Sequence, residues 1–108
     1  SGKLAVQRVM AYIREHYSDP ELSMAAIAES FDLSTTRLSL SFKNRMGMTP
    51  SEYLTLIRCE RAKGLLETTE LTIREIGTRV GYYDAGSFIR RFKQVTGETP
   101  LQYRKNQK

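Results

Sequence analysis

The sequence has a single cysteine, Cys59, so no internal disulfide can form. A reducing, cytoplasmic setting is therefore expected. It has one histidine, His16, with no cysteine or second histidine at ligand spacing, so no metal site is expected. His16 falls late in a helical stretch, where a cation suits the helix dipole. No apolar run approaches the ~20 residues of a membrane helix, and no signal peptide opens the chain. Membrane partners are thus not expected. There is no glycine-rich phosphate loop, no grouping of nucleophile and base, and no pocket implied by the scattered carboxylates. No catalytic residue, cofactor or enzyme activity is expected. Cys59 reads as a packed thiol. No stretch alternates with a period of two, so no strands are expected.

What remains is a basic, helical chain. Of its 108 residues, 40% are apolar and the formal net charge is +5. A chain of ~100 residues can fold without disulfides or metals. Ser1 and Gly2 look like a cloning remnant. Leu4, Val6, Val9, Met10, Ile13 and Tyr17 recur three and four apart and predict a first helix, ended by Ser18-Asp19-Pro20. Ser23 caps a short second helix with Met24, Ile27, Ala28 and Phe31 on one side. After a turn at Asp32-Leu33, Ser34 caps a third helix, which carries Leu38 and Phe42 and stops near Gly47. Thr49-Pro50 opens a long fourth helix through Tyr53, Leu54, Ile57, Ala62, Leu65 and Leu66. Thr72 caps a fifth, Gly81-Tyr82-Tyr83 turns, and Asp84 caps a sixth with Phe88 and Phe92, ending near Gly97. Thr99-Pro100 starts a last short helix with Leu101 and Tyr103. Gly77 falls mid-helix, where glycine costs ~1 kcal/mol, so close packing against it is expected. Tyr53 and Tyr103 are expected in the core with hydroxyls near the surface, and Glu67 and Glu70 in solvent.

The pattern repeats. Leu22, Ile27, Phe31 and Leu33 recur as Leu71, Ile76, Val80 and Tyr82, shifted by 49; Leu38, Phe42, Lys43, Gly47, Thr49, Pro50 and Tyr53 recur as Phe88, Phe92, Lys93, Gly97, Thr99, Pro100 and Tyr103, shifted by 50. Each copy is short helix, tight turn, second helix, glycine stop and Thr-Pro restart, the helix-turn-helix plan. A helical solenoid is the competing reading, but two copies are too few for one. The expected fold is all-α: seven helices in two tandem helix-turn-helix lobes, residues 3–48 and 69–108, joined by a linker helix at 49–68.

Charge is concentrated in the second helix of each copy. Residues 34–48 hold Arg37, Lys43 and Arg45, residues 85–97 hold Arg90, Arg91 and Lys93, and neither stretch has an acid. Outside them acidic residues outnumber basic ones, 12 to 11. Cations on such helices suit a duplex, whose phosphates line both sides of the groove. At about 100° per residue, Thr36, Leu40 and Lys43 point away from Leu38 and Phe42, flanked by Arg37 and Asn44. Gly86, Arg90 and Lys93 likewise oppose Phe88 and Phe92, flanked by Ser87 and Gln94. Leu40 is an apolar residue on a polar face, either a harmless exposed leucine or a contact for a thymine methyl. Double-stranded DNA is the expected partner; a helical protein-interaction module is the alternative.

Arg61-Ala62, Leu65-Leu66, Ile73, Ile76-Gly77, Val80-Gly81-Tyr82, Phe88, Arg90, Phe92-Lys93, Gly97, Thr99-Pro100 and Tyr103 stand at the spacing of a family signature. The chain resembles the DNA-binding domain of AraC/XylS transcriptional regulators over nearly its whole length. The resemblance implies base contacts from Thr36, Ser39 and Leu40 in the first unit, and from Ala85, Gly86, Ile89 and Arg90 in the second. Arg37 joins the base-contacting set, and Lys43, Asn44, Arg45, Arg91, Lys93 and Gln94 are expected to meet phosphate. The chain departs from the family at Leu40, where arginine is frequent, and at Ala85 and Gly86, where longer polar residues occur. The resemblance further implies transcription activation at a promoter, RNA polymerase as a partner, and a sensor or dimerisation domain outside these residues.

Overall fold

The computed structural model describes residues 2–107; Ser1 and the side chain of Leu4, named above, lie outside what it describes. Among the described residues there are seven helices and no strands: α1 Gly2–His16, α2 Met24–Ser30, α3 Thr35–Met46, α4 Pro50–Thr68, α5 Ile73–Arg79, α6 Ala85–Thr96 and α7 Pro100–Lys105.

Local chemistry sets these boundaries. Ser23, Ser34, Thr49, Thr72, Asp84 and Thr99 are the N-caps of α2 to α7, and each side chain accepts a backbone N–H from the first turn. Such a bond satisfies one of the orphan donors of a helix start and contributes about 1 kcal/mol. Three starts are complete capping boxes, in which Glu52, Glu75 and Gln102 reach back to the backbone N–H of Thr49, Thr72 and Thr99, at 2.8 Å each. The bonds hold the Glu52 and Glu75 carboxylates below their ordinary pKa. Helices α3 and α6 both stop at a left-handed glycine, Gly47 (φ 76°) and Gly97 (φ 88°).

The two helix-turn-helix turns are the same device. Leu33 N–H reaches back to Ala28 O, and Tyr82 N–H to Gly77 O, both at 2.9 Å, closing α2 and α5 in the same way. The residue before each donor is left-handed: Asp32 at φ 56° and Gly81 at φ 108°. The residue added in the second copy is Tyr83, which is 68% exposed. Gly77 is packed as its cost suggested: a Cβ there would lie 3.1 Å from Phe88.

There are two cores, and α4 belongs to both. Ile13, Ile27, Leu38, Phe42 and Tyr53 anchor the first, with Leu54 and Ile57 of α4 against them. Cys59, Ala62 and Leu66 of α4 join Ile76, Val80, Phe88 and Phe92 in the second. The linker helix is therefore shared packing rather than a bare spacer. Tyr17, just after α1, packs against both cores. The molecule is elongated, 45 × 23 × 20 Å. No described helix is long and apolar enough to cross a membrane.

Two expectations about polar groups change. The Tyr53 hydroxyl is buried with no hydrogen-bond partner, not near the surface. Its ring lies 5.7 Å from Phe42, and the depth needed for that contact carries the hydroxyl inside. Glu67 is exposed but not merely solvated: it accepts the Tyr103 hydroxyl, whose pKa is pushed up to about 12 by that bond. Cys59 is a buried free thiol, and burial raises its pKa.

Candidate nucleic-acid interface

In α3, Leu38 and Phe42 are buried. Two apolar anchors one turn apart fix the rotation of the helix, so the opposite face is set by default. Thr36, Arg37, Leu40, Lys43, Asn44 and Arg45 are exposed and Ser39 is half-buried. Leu40 stands out at 60% exposure; it shares a shallow depression with Met24, Thr35, Thr36 and Ser39. Arg37 lies on the flank, where it lines a groove with Ala5, Val6 and Val9 of α1.

Helix α6 repeats the arrangement on Phe88 and Phe92, whose rings meet edge-on at 5.8 Å. Gly86, Arg90, Arg91, Lys93 and Gln94 are exposed; Ala85 and Ile89 are half-buried. The Arg90 guanidinium folds back toward the start of its own helix and donates to Ser87 Oγ at 3.4 Å. Gly86 leaves room for this, since a Cβ there would already sit 3.4 Å from Arg90 Nη1. At that helix start Asp84 accepts the Ser87 N–H at 2.7 Å, which, with the Arg90 charge nearby, holds its carboxylate below the ordinary pKa. The start of a recognition helix is the part that enters the groove most deeply. Arg91 donates to Gln94 Oε1 at 3.2 Å, and the pair lines two clefts: one against Ser51, Glu52 and Thr55 of α4, the other against Arg58 and the Gly81–Asp84 turn.

The cations of these two faces take part in no ion pair among the described residues. Among the described residues the only ion pair within 4 Å joins Lys63 to Glu60 on α4. Several basic residues elsewhere are engaged in structure. Arg104 donates to the carbonyls of Leu66, Thr69 and Leu71, at 2.7–3.2 Å, clipping α7 to the α4–α5 connection. Arg14, Arg58 and Arg61 lie over tyrosine rings. Sequence inspection missed this sorting of arginines, because their partners are carbonyls and rings 24 to 44 residues away with no spacing rule. The described residues hold no cluster of ligands suited to a metal ion.

A repeated pair of short helices, each second helix seated on two buried residues and turning a cationic face to solvent, defines a tandem helix-turn-helix protein. A family model described as a helix-turn-helix domain matches residues 27–106. The chain belongs to that family, the AraC/XylS type of transcriptional regulator. It is 34% identical over 99 residues to the arabinose operon regulatory protein of Escherichia coli, covering 92% of this chain and 34% of that protein. The chain thus spans about a third of the length of most of the curated relatives it matches, and 13% of others. Among solved structures it resembles the C-terminal domain of AraT, a response regulator from Geobacillus stearothermophilus, with TM-score 0.92 and 39% identity over 94% of this chain and 84% of that one. The DNA-binding domain of AdpA in complex with a target DNA shares the fold, with TM-score 0.86 at 24% identity, over 94% and 90% of the two chains.

Proposed function

We propose that this chain is the sequence-specific, double-stranded-DNA-reading part of a bacterial transcriptional activator, with α3 and α6 in successive major-groove segments. One observation carries the reading: the positive excess of the chain lies on α3 and α6 in six exposed side chains, of which Lys43, Arg90 and Lys93 turn away from the buried anchors, and none of those cations is in an ion pair among the described residues. Helix α4 has 19 residues, or ~28 Å at 1.5 Å per residue. That length suits two reading helices about one DNA turn, ~34 Å, apart.

In this reading Thr36, Arg37, Ser39 and Leu40 face bases in one half-site, and Ala85, Gly86, Ile89 and Arg90 in the other. Arg90 is the one long polar side chain at the centre of the α6 face, so it reads guanine through O6 and N7. Leu40 occupies the matching place on α3 and offers a methyl contact to thymine. Lys43, Asn44, Arg45, Arg91, Lys93 and Gln94 hold phosphates and set the register. The family of regulator domains to which the chain belongs is not enzymatic. RNA polymerase as a partner, and a sensor or dimerisation domain in a longer protein, complete the proposal.

Footprinting with measured stoichiometry tests it. One chain should protect a nonpalindromic site of roughly 20 base pairs, two turns of ~10. A palindrome bound only by two chains would sink the tandem reading. Absence of duplex binding at low salt would favour a protein-interaction module instead.

A further inference from the structure

We propose that Arg58 is a positioning residue that locks the two helix-turn-helix units at one angle and thereby sets the half-site spacing the protein accepts. The inference rests on the reading of α3 and α6 as DNA-reading helices.

Arg58 lies on α4 at the changeover between the cores: Leu54 and Ile57 pack in the first, Cys59 and Ala62 in the second. Its side chain is half-buried and reaches both units at once. Nε donates to Tyr17 O at 2.8 Å and Nη2 to Asp19 O at 3.0 Å, both in the α1–α2 connection of the first unit. Its guanidinium carbon lies 5.2 Å from the centre of the Tyr82 ring, in the turn of the second unit. The planar fork suits two carbonyls and a ring face together, which an ammonium cannot match.

The second unit's turn is pressed into the same point. A Cβ on Gly81 would lie 2.4 Å from Tyr17 O and 2.8 Å from Arg58 Nε. The equivalent residue of the first unit is an aspartate, Asp32, which is exposed and sits at φ 56° rather than 108°. At Gly81 both the wider φ and the approach of the two units exclude a side chain, whereas at Asp32 neither does. Tyr17 completes the joint, packing on both cores with Arg61 5.5 Å over its ring. Without this joint, the angle between α3 and α6 would depend on packing along α4 alone.

A rigid pair of readers penalises a changed spacing, whereas a hinged pair tolerates it. The probe is a duplex selected from a random pool by the wild-type chain, together with versions carrying one or two base pairs inserted or deleted between its half-sites. One added pair displaces and rotates the second half-site along the helix. Wild-type affinity should fall by about 100-fold on these, against about 10-fold or less for Arg58→Ala, because a flexible linkage retains part of its effective concentration. Affinity for a duplex holding one half-site alone should change by less than about threefold, since the bonds and ring contact of Arg58 go to Tyr17, Asp19 and Tyr82, none of them on α3 or α6. Arg58→Lys keeps the charge but loses the fork, so it should tolerate altered spacing as the alanine variant does. It carries the test if circular dichroism shows Arg58→Ala unfolded. A wild-type spacing profile with uniformly weaker binding in a folded variant overturns the lock. Failure of the wild-type chain to select any duplex at low salt overturns the DNA reading itself.

Discussion

If the free cations of α3 and α6 meet phosphate, binding must weaken steeply and predictably with salt. Six cations stand on the two helices; Lys43, Arg45, Arg91 and Lys93 are assigned to phosphate, and Arg37 and Arg90 to bases. Four to six neutralised phosphates give a log–log slope of about −3.6 to −5.4, or a loss of roughly 150- to 1,800-fold between 50 and 200 mM salt. Removing one phosphate contact, by Lys93→Ala, should make the slope shallower by about 0.9 and weaken all sequences alike. Removing the guanine reader, by Arg90→Ala, should cost about 1–3 kcal/mol on the best site, roughly 5- to 150-fold, and relax preference at one or two base pairs. Neither change should alter stability by more than ~0.5 kcal/mol, since both side chains are exposed, neither is in an ion pair, and the Arg90 bond to Ser87 is long at 3.4 Å. Fluorescence anisotropy on a panel of single-base variants, at several salt concentrations, separates the two signatures. If Arg90→Ala weakened every duplex equally and shifted the slope as Lys93→Ala does, base reading by Arg90 would be refuted.

Phe92→Ala should cost ~3–5 kcal/mol in chemical denaturation, because the ring is 2% exposed between Phe88 and Tyr103; a loss below ~1 kcal/mol would contradict that packing. Gly64→Ala should stabilise by ~0.5–1 kcal/mol, since it lies inside α4 and a Cβ there meets nothing within 4 Å. Gly97→Ala should do the reverse, because its φ of 88° strains any side chain; equal melting shifts of one sign for both would defeat the distinction. Tyr103 has a folded pKa of about 12, above its ordinary 10.0, because the neutral hydroxyl donates to Glu67. Its contribution to stability is therefore whole below pH 10 and disappears as the pH rises through about 12. Glu67→Gln should return this titration toward its ordinary value, read by tyrosinate absorbance against a Tyr103→Phe control; an unchanged curve would remove Glu67 as the cause.

Helix starts, helix stops, the repeat and the outward faces of α3 and α6 are legible from the residues alone. Each rests on interactions within about four residues, such as Ser34 with the Arg37 N–H or Gly47 closing on Lys43, and local chemistry of that kind has sequence signatures. The close approach at Gly77 was also foreseeable, since a helical glycine that costs stability signals a neighbour. What only the tertiary structure decided is which arginines are free and which are structural. Arg58 and Arg104 look no different in sequence from Arg90, yet they are spent on backbone carbonyls 33 to 41 residues away. A carbonyl is the same in every residue, so no side-chain pattern announces the partner. The buried Tyr53 hydroxyl and the Tyr103–Glu67 bond escaped for the same reason: depth and long-range pairing are properties of packed helices, not of spacing. Composition and local spacing determined the helices and the charge they present; the joint at Arg58 and Gly81, formed only when the two units pack, decided the angle at which they present it.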